Sequence, residues 1–173
     1  MNIAFQHLIP QNFNENSHVW IYQANRPFTA LEEGKINEQL NKFASTWLSH
    51  GVKVKGFAQV LFSRFILFMA DETASGVSGC STDSSVRLLK SIEKEFSVSL
   101  FDRQVLAFAV NDKIQLIPLS QINVCLEEKL INANTLYFNN TILTKQELMS
   151  SWIIPVQESW LAGRIDTLHK SMR

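Results

Sequence analysis

Cysteine is scarce in this 173-residue chain. Its two cysteines, Cys80 and Cys125, form no CxxC motif and no even disulfide framework, so the sequence predicts a reduced, cytoplasmic compartment. Glycine and proline are also sparse, at six and four, which excludes collagen-like and low-complexity chains. Neither sign of charge is in excess. Sixteen Lys and Arg balance sixteen Asp and Glu, and no basic run is present, which argues against a nucleic-acid partner bound through phosphate neutralisation. The most apolar stretch, FAQVLFSRFILFMA, is interrupted by Ser63-Arg64 and is too short to span a bilayer. The opening MNIAFQHLIPQNF has no charged leader ahead of an apolar core, so no signal peptide is expected. There is no HExxH, no Cys/His cluster and no EF-hand loop, so neither a metal nor a cofactor is expected.

What is abundant is core material. The chain is 46% hydrophobic with twelve Phe and four Trp, enough for one folded domain spanning 1–173. Residues 1–18 read as irregular. Val19–Asn25 reads as a strand, being β-branched and aromatic. Thr29-x-x-Glu32 is a capping box, and Ile36, Leu40, Phe43 and Trp47 follow on one helical face up to Gly51. Two strands, 53–62 and 64–71, reverse near Ser63-Arg64. A second helix is predicted from Thr82 to Ser97, with Val86, Leu89, Ile92 and Phe96 facing inward. VLAFAV and KIQLIPL flank Asn111-Asp112, both tolerant of a left-handed turn. A helix over 118–131, a strand at 136–138, a Thr144-x-x-Glu147 capping box and a last helix over 155–173 complete the chain. The order β-α-ββ-α-ββ-α-β-α-α feeds hairpins into helices, which predicts an α+β fold on a mainly antiparallel sheet.

The most informative stretch is SGVSGCSTDSSV, residues 75–86, where Ser and Gly crowd ahead of a helix. Capping is the ordinary role of such residues. Their second use is to hold an anion, because helix starts combine unpaired amides with the positive end of the helix dipole. On that reading Ser78, Gly79, Ser81, Thr82 and Ser84 supply donors, and Arg26 or Arg87 supplies countercharge. Asp83 is the internal competitor. The predicted function is a noncatalytic binding or interaction module with a small anionic ligand. The alternative is a small enzyme with Cys80 or a loop hydroxyl as nucleophile, a Cys80 thiolate being stabilised by the helix start, and with Arg26 or Arg87 stabilising negative charge. Against that alternative, Cys80 and Arg87 are spaced C-x6-R rather than the phosphatase C-x5-R, and no spacing selects a base among His7, His18, His50 and His169. An exposed aromatic patch would mark a protein partner or a homo-oligomer interface.

WIYQANR at 20–26, SGCSTDSSV at 78–86, LFDR at 100–103, Asn139-Asn140 and Trp152-x-x-Pro155-x-x-Glu158-Ser-Trp160 together resemble a family of small uncharacterised proteins of Bacteroidetes-type bacteria. Members of that family often carry the label "ABC transporter ATPase". The resemblance covers residues 18 to 160 and implies a kind of protein rather than an activity. The label itself conflicts with the residues. A P-loop requires GxxxxGK[ST], yet Gly51 and Gly56 are followed by Phe57-Ala58, and Gly34-Lys35 by Ile36.

Overall fold

A computed structural model describes residues 2–49, 51–71 and 79–165, without the side chains of residues 49 and 79–82. In chain order the elements are β1 (His18–Gln23), α1 (Ala30–Thr46), β2 (Leu48–Ser49), β3 (Val52–Lys53), β4 (Lys55–Leu61), β5 (Phe65–Asp71), α2 (Gly79–Phe96), β6 (Val105–Val110), β7 (Lys113–Pro118), α3 (Ile122–Glu127), β8 (Leu136–Phe138), α4 (Lys145–Ser151) and β9 (Ile153–Pro155). The fold is α+β and each of these strand pairs is antiparallel, as the alternation of hairpins and helices predicts. The chain groups into two compact units. One comprises Ile3–Phe101 with Asn140–Met149; the other comprises Asp102–Asn139 and Ser150–Arg173 with the first two residues.

The first unit is built on a sheet ordered β1-β5-β4. Alternation along each strand separates two apolar sets. Tyr22, Ala58, Val60, Ile66 and Phe68 share a core with Ile36 and Leu40 of α1 and with Leu89, Ile92 and Phe96 of α2. Val19, Ile21, Leu67 and Met69 point the other way and are also buried. The irregular N-terminal segment meets that face, with Phe13 edge-on to Phe57 at 6.4 Å. Every residue of β5 is therefore buried, which explains why FILFMA shows no polar alternation. The capping box forms as predicted: Glu32 N–H donates to Thr29 Oγ1 at 3.3 Å, and Thr29 N–H donates to Glu32 Oε2 at 2.8 Å.

Several boundaries differ from the sequence reading. α1 stops at Thr46, where the Ser45 and Thr46 hydroxyls both donate to the Lys42 carbonyl. Gly51 does not close that helix; it takes φ +78° in the turn between β2 and β3. The β4–β5 reversal spans Phe62–Arg64, with Phe62 and Ser63 both left-handed and Arg64 N–H donating to Leu61 O at 3.1 Å. α2 begins at Gly79, not Thr82.

The second unit has a sheet ordered β7-β6-β8-β9. Asn111 and Asp112 form its hairpin turn with φ of 48° and 58°, the left-handed pair their chemistry permits. Phe108, Ile117, Ile122, Cys125 and Tyr137 form one core with Val156 and Leu161. The helix expected over 118–131 is shorter. It follows a 3-10 turn at Leu119–Gln121 and ends at Glu127, because Lys129 turns left-handed and the Leu130 and Ile131 amides fold back onto Cys125 O. Pro155 does not open a helix. It closes edge strand β9 opposite Leu136, where its missing N–H costs no ladder bond, and a 3-10 turn follows. Helix resumes at residues 162–165, and residues 166–173 lie outside the described residues.

Candidate functional site

α2 starts with Gly79, so Cys80, Ser81 and Thr82 stand inside its first turn rather than in a loop ahead of it. The amides of residues 79–81 have no carbonyl four residues before them in the helix, and so no intrahelical partner. Ser78 lies outside the described residues, as do the side chains of Cys80, Ser81 and Thr82. Ser84 is half-buried, Ser85 buried and Asp83 exposed. Arg87 is exposed on the third turn of α2 and, like every helical side chain, leans toward the N-terminus.

Arg26 is placed elsewhere. Its Nη1 and Nη2 form a two-pronged pair with Glu32 Oε2 and Oε1 at 2.9 and 2.8 Å. Nη2 also donates to the carbonyl of Phe96, the last residue of α2. With 18 residues, α2 is about 27 Å long. The structure thus sets Arg26 at the opposite end of α2 from residues 79–82 and does not bring it to the Ser/Gly stretch. The Arg26 guanidinium and then the Thr29 amide hold the Glu32 carboxyl at about 2, well below its ordinary value.

Other polar groups are tied into the fold. Asn25 exchanges bonds with Ser99, and Gln23 Oε1 accepts from Asn140 Nδ2 at 3.0 Å. Asp71 is buried against Lys55 Nζ at 3.1 Å, while its neighbour Glu72 lies outside the described residues. Asp102 Oδ1 accepts from Gln104 N–H at 2.8 Å, making a turn before β6. Trp160 Nε1 donates to Tyr137 Oη at 3.2 Å. Cys125 is a free buried thiol whose pKa is raised by burial and then by Glu128. His7 and His18 are exposed, and His50 and His169 lie outside the described residues. Among the described residues no three His, Cys, Asp or Glu gather as a metal site, and no helix is long and apolar enough to cross a membrane.

One constellation escaped the sequence reading. A cleft of about 380 Å³ in the first unit has Lys145 and Glu15 in its wall. Lys145 is buried, and its Nζ donates to Phe13 O at 2.8 Å, to Gln11 O at 3.4 Å and to Glu15 Oε1 at 3.0 Å. Its backbone N–H bonds Ser17 O at 2.9 Å, which brings the start of α4 against the N-terminal segment. The Thr144–Glu147 capping box was legible; a lysine pairing with a residue 130 positions away carries no local signal.

Comparisons with protein-family models, with curated proteins and with solved structures find no match.

Proposed function

We propose that this chain is a noncatalytic binding module of a reducing, cytoplasmic compartment, with a site for a small anionic ligand at residues 75–85. The observation that carries the reading is the start of α2 at Gly79, which leaves three consecutive amides, residues 79–81, at the positive end of an 18-residue helix. Arg87, exposed and leaning toward that end, is the countercharge; Arg26 is committed to Glu32 and Phe96. Inorganic phosphate titrated into the protein should raise its melting temperature in a saturable way, as a ligand of the native state must. Arg87→Gln should weaken that response. Equal stabilisation of both proteins, or none, removes the reading.

A second reading is favoured by the position of Cys80, the second residue of α2. A helix start stabilises a thiolate, so Cys80 would act as a nucleophile toward a substrate whose negative charge Arg87 supports. Cys125, buried with a raised thiol pKa, is the unreactive internal control. Iodoacetamide at neutral pH should then label Cys80 faster than free cysteine. A rate no faster than free cysteine eliminates the enzyme.

A further inference from the structure

We propose that the cleft beside Lys145 receives a carboxylate, from a small organic acid or a peptide C-terminus, and that Glu15 is the internal group this carboxylate displaces.

The Lys145 side chain is 6% exposed, whereas that of Glu15 is 62% exposed. Of the three acceptors around Nζ, two are main-chain carbonyls of Gln11 and Phe13, fixed by the course of the chain. They satisfy two protons of the ammonium and neutralise none of its charge. The third acceptor, Glu15, is the only anion in the cleft wall among the described residues. A buried ammonium needs a countercharge, since leaving it uncompensated forfeits its hydration with nothing in exchange. An exposed glutamate gives up side-chain freedom to provide one, and water competes for its carboxylate, so Glu15 is the exchangeable half of the pair. The cation is therefore rigidly held and its partner loosely held. An incoming carboxylate can take the third N–H and release Glu15 to water.

The remaining walls set the character of the group attached to the carboxylate. Ile9 and Met149 offer apolar surface, and Gln6, His7 and Gln11 offer polar atoms. The volume, about 380 Å³, falls within the usual range for small-ligand clefts, about 300–1,000 Å³. A single countercharge fits a monoanion better than a phosphate dianion. The ligand class is thus a monocarboxylate with a short, largely neutral tail.

The test follows the Met149 methyl by NMR in methionine-labelled full chain, assigned with Met149→Leu, during titration with butyrate. A saturable shift is expected, with Kd falling at least fivefold in Glu15→Gln, which keeps the side-chain shape and removes the competing charge. Lys145→Met should abolish the shift; because that change strands two carbonyls and can unfold the protein, Glu15→Gln is the decisive variant. No saturable shift in either protein, or the same Kd in both, overturns the proposal. A second arm uses N-acetylated dialanine as free acid and as amide. The acid binding tighter than butyrate assigns the site to a peptide C-terminus, and the reverse assigns it to a small acid. The amide binding as well as the acid overturns the proposal. Phosphate stabilisation at the start of α2 should be the same in Glu15→Gln, so the two sites fail or stand separately.

Discussion

Arg26 shows what a single side chain does when its sequence context suggests one role and its neighbours impose another. At the end of the first strand it reads as the countercharge of an anion, yet its fork closes on Glu32 and on the last carbonyl of α2. It joins the capping box of α1 to the C-terminus of α2, where a cation is favoured by the helix dipole. Glu32 has a pH signature as a result. Its folded pKa, about 2, lies below its ordinary value of 4.5, so the stabilisation is fully present above about 4.5 and is lost as pH falls toward 2. In Glu32→Gln, the fall of the urea midpoint across that window should be shallower than in the wild type. Gln23 and Asn25 obey the same logic: their side-chain oxygens accept from Asn140 Nδ2 and from the Ser99 amide, which joins the strand and its end to neighbouring segments.

Elements were readable where local chemistry is self-sufficient. The Thr29–Glu32 cap and the Asn111-Asp112 turn lie where their own residues place them, since each needs only contacts within a few positions. Ends were less readable, because an end depends on what it meets. Gly56 illustrates the dependence. A Cβ there would stand 2.6 Å from Trp47 Cε3, and Trp47 is buried with no room to retreat. Gly56→Ala should cost about 1–3 kcal/mol, read from the denaturant midpoint. Gly34→Ala, on α1 with nothing within 4 Å, is the control and should stabilise by about 0.5–1 kcal/mol. Strand β9 is too short to read from its own residues: Ile153–Pro155 pairs along the edge that β8 presents.

At the scale of the whole molecule, sixteen positive charges offset sixteen negative ones, so no long-range repulsion keeps copies apart at neutral pH. Precipitation by polyethylene glycol should therefore need least precipitant near neutral pH and more on either side. The amino-acid sequence by itself determined the α+β class, the hairpin-to-helix order, the caps and the turn residues, because hydrophobic period, capping chemistry and tolerance of positive φ all act over a few neighbouring residues. Only the tertiary structure decided that residues 140–149 belong with 3–101, that Arg26 faces the wrong end of α2 for the Ser/Gly stretch, and that Lys145 sits against Gln11, Phe13 and Glu15. Those pairings join residues up to 134 positions apart. What selects them is burial shared by the whole core, and no short stretch of the chain carries it.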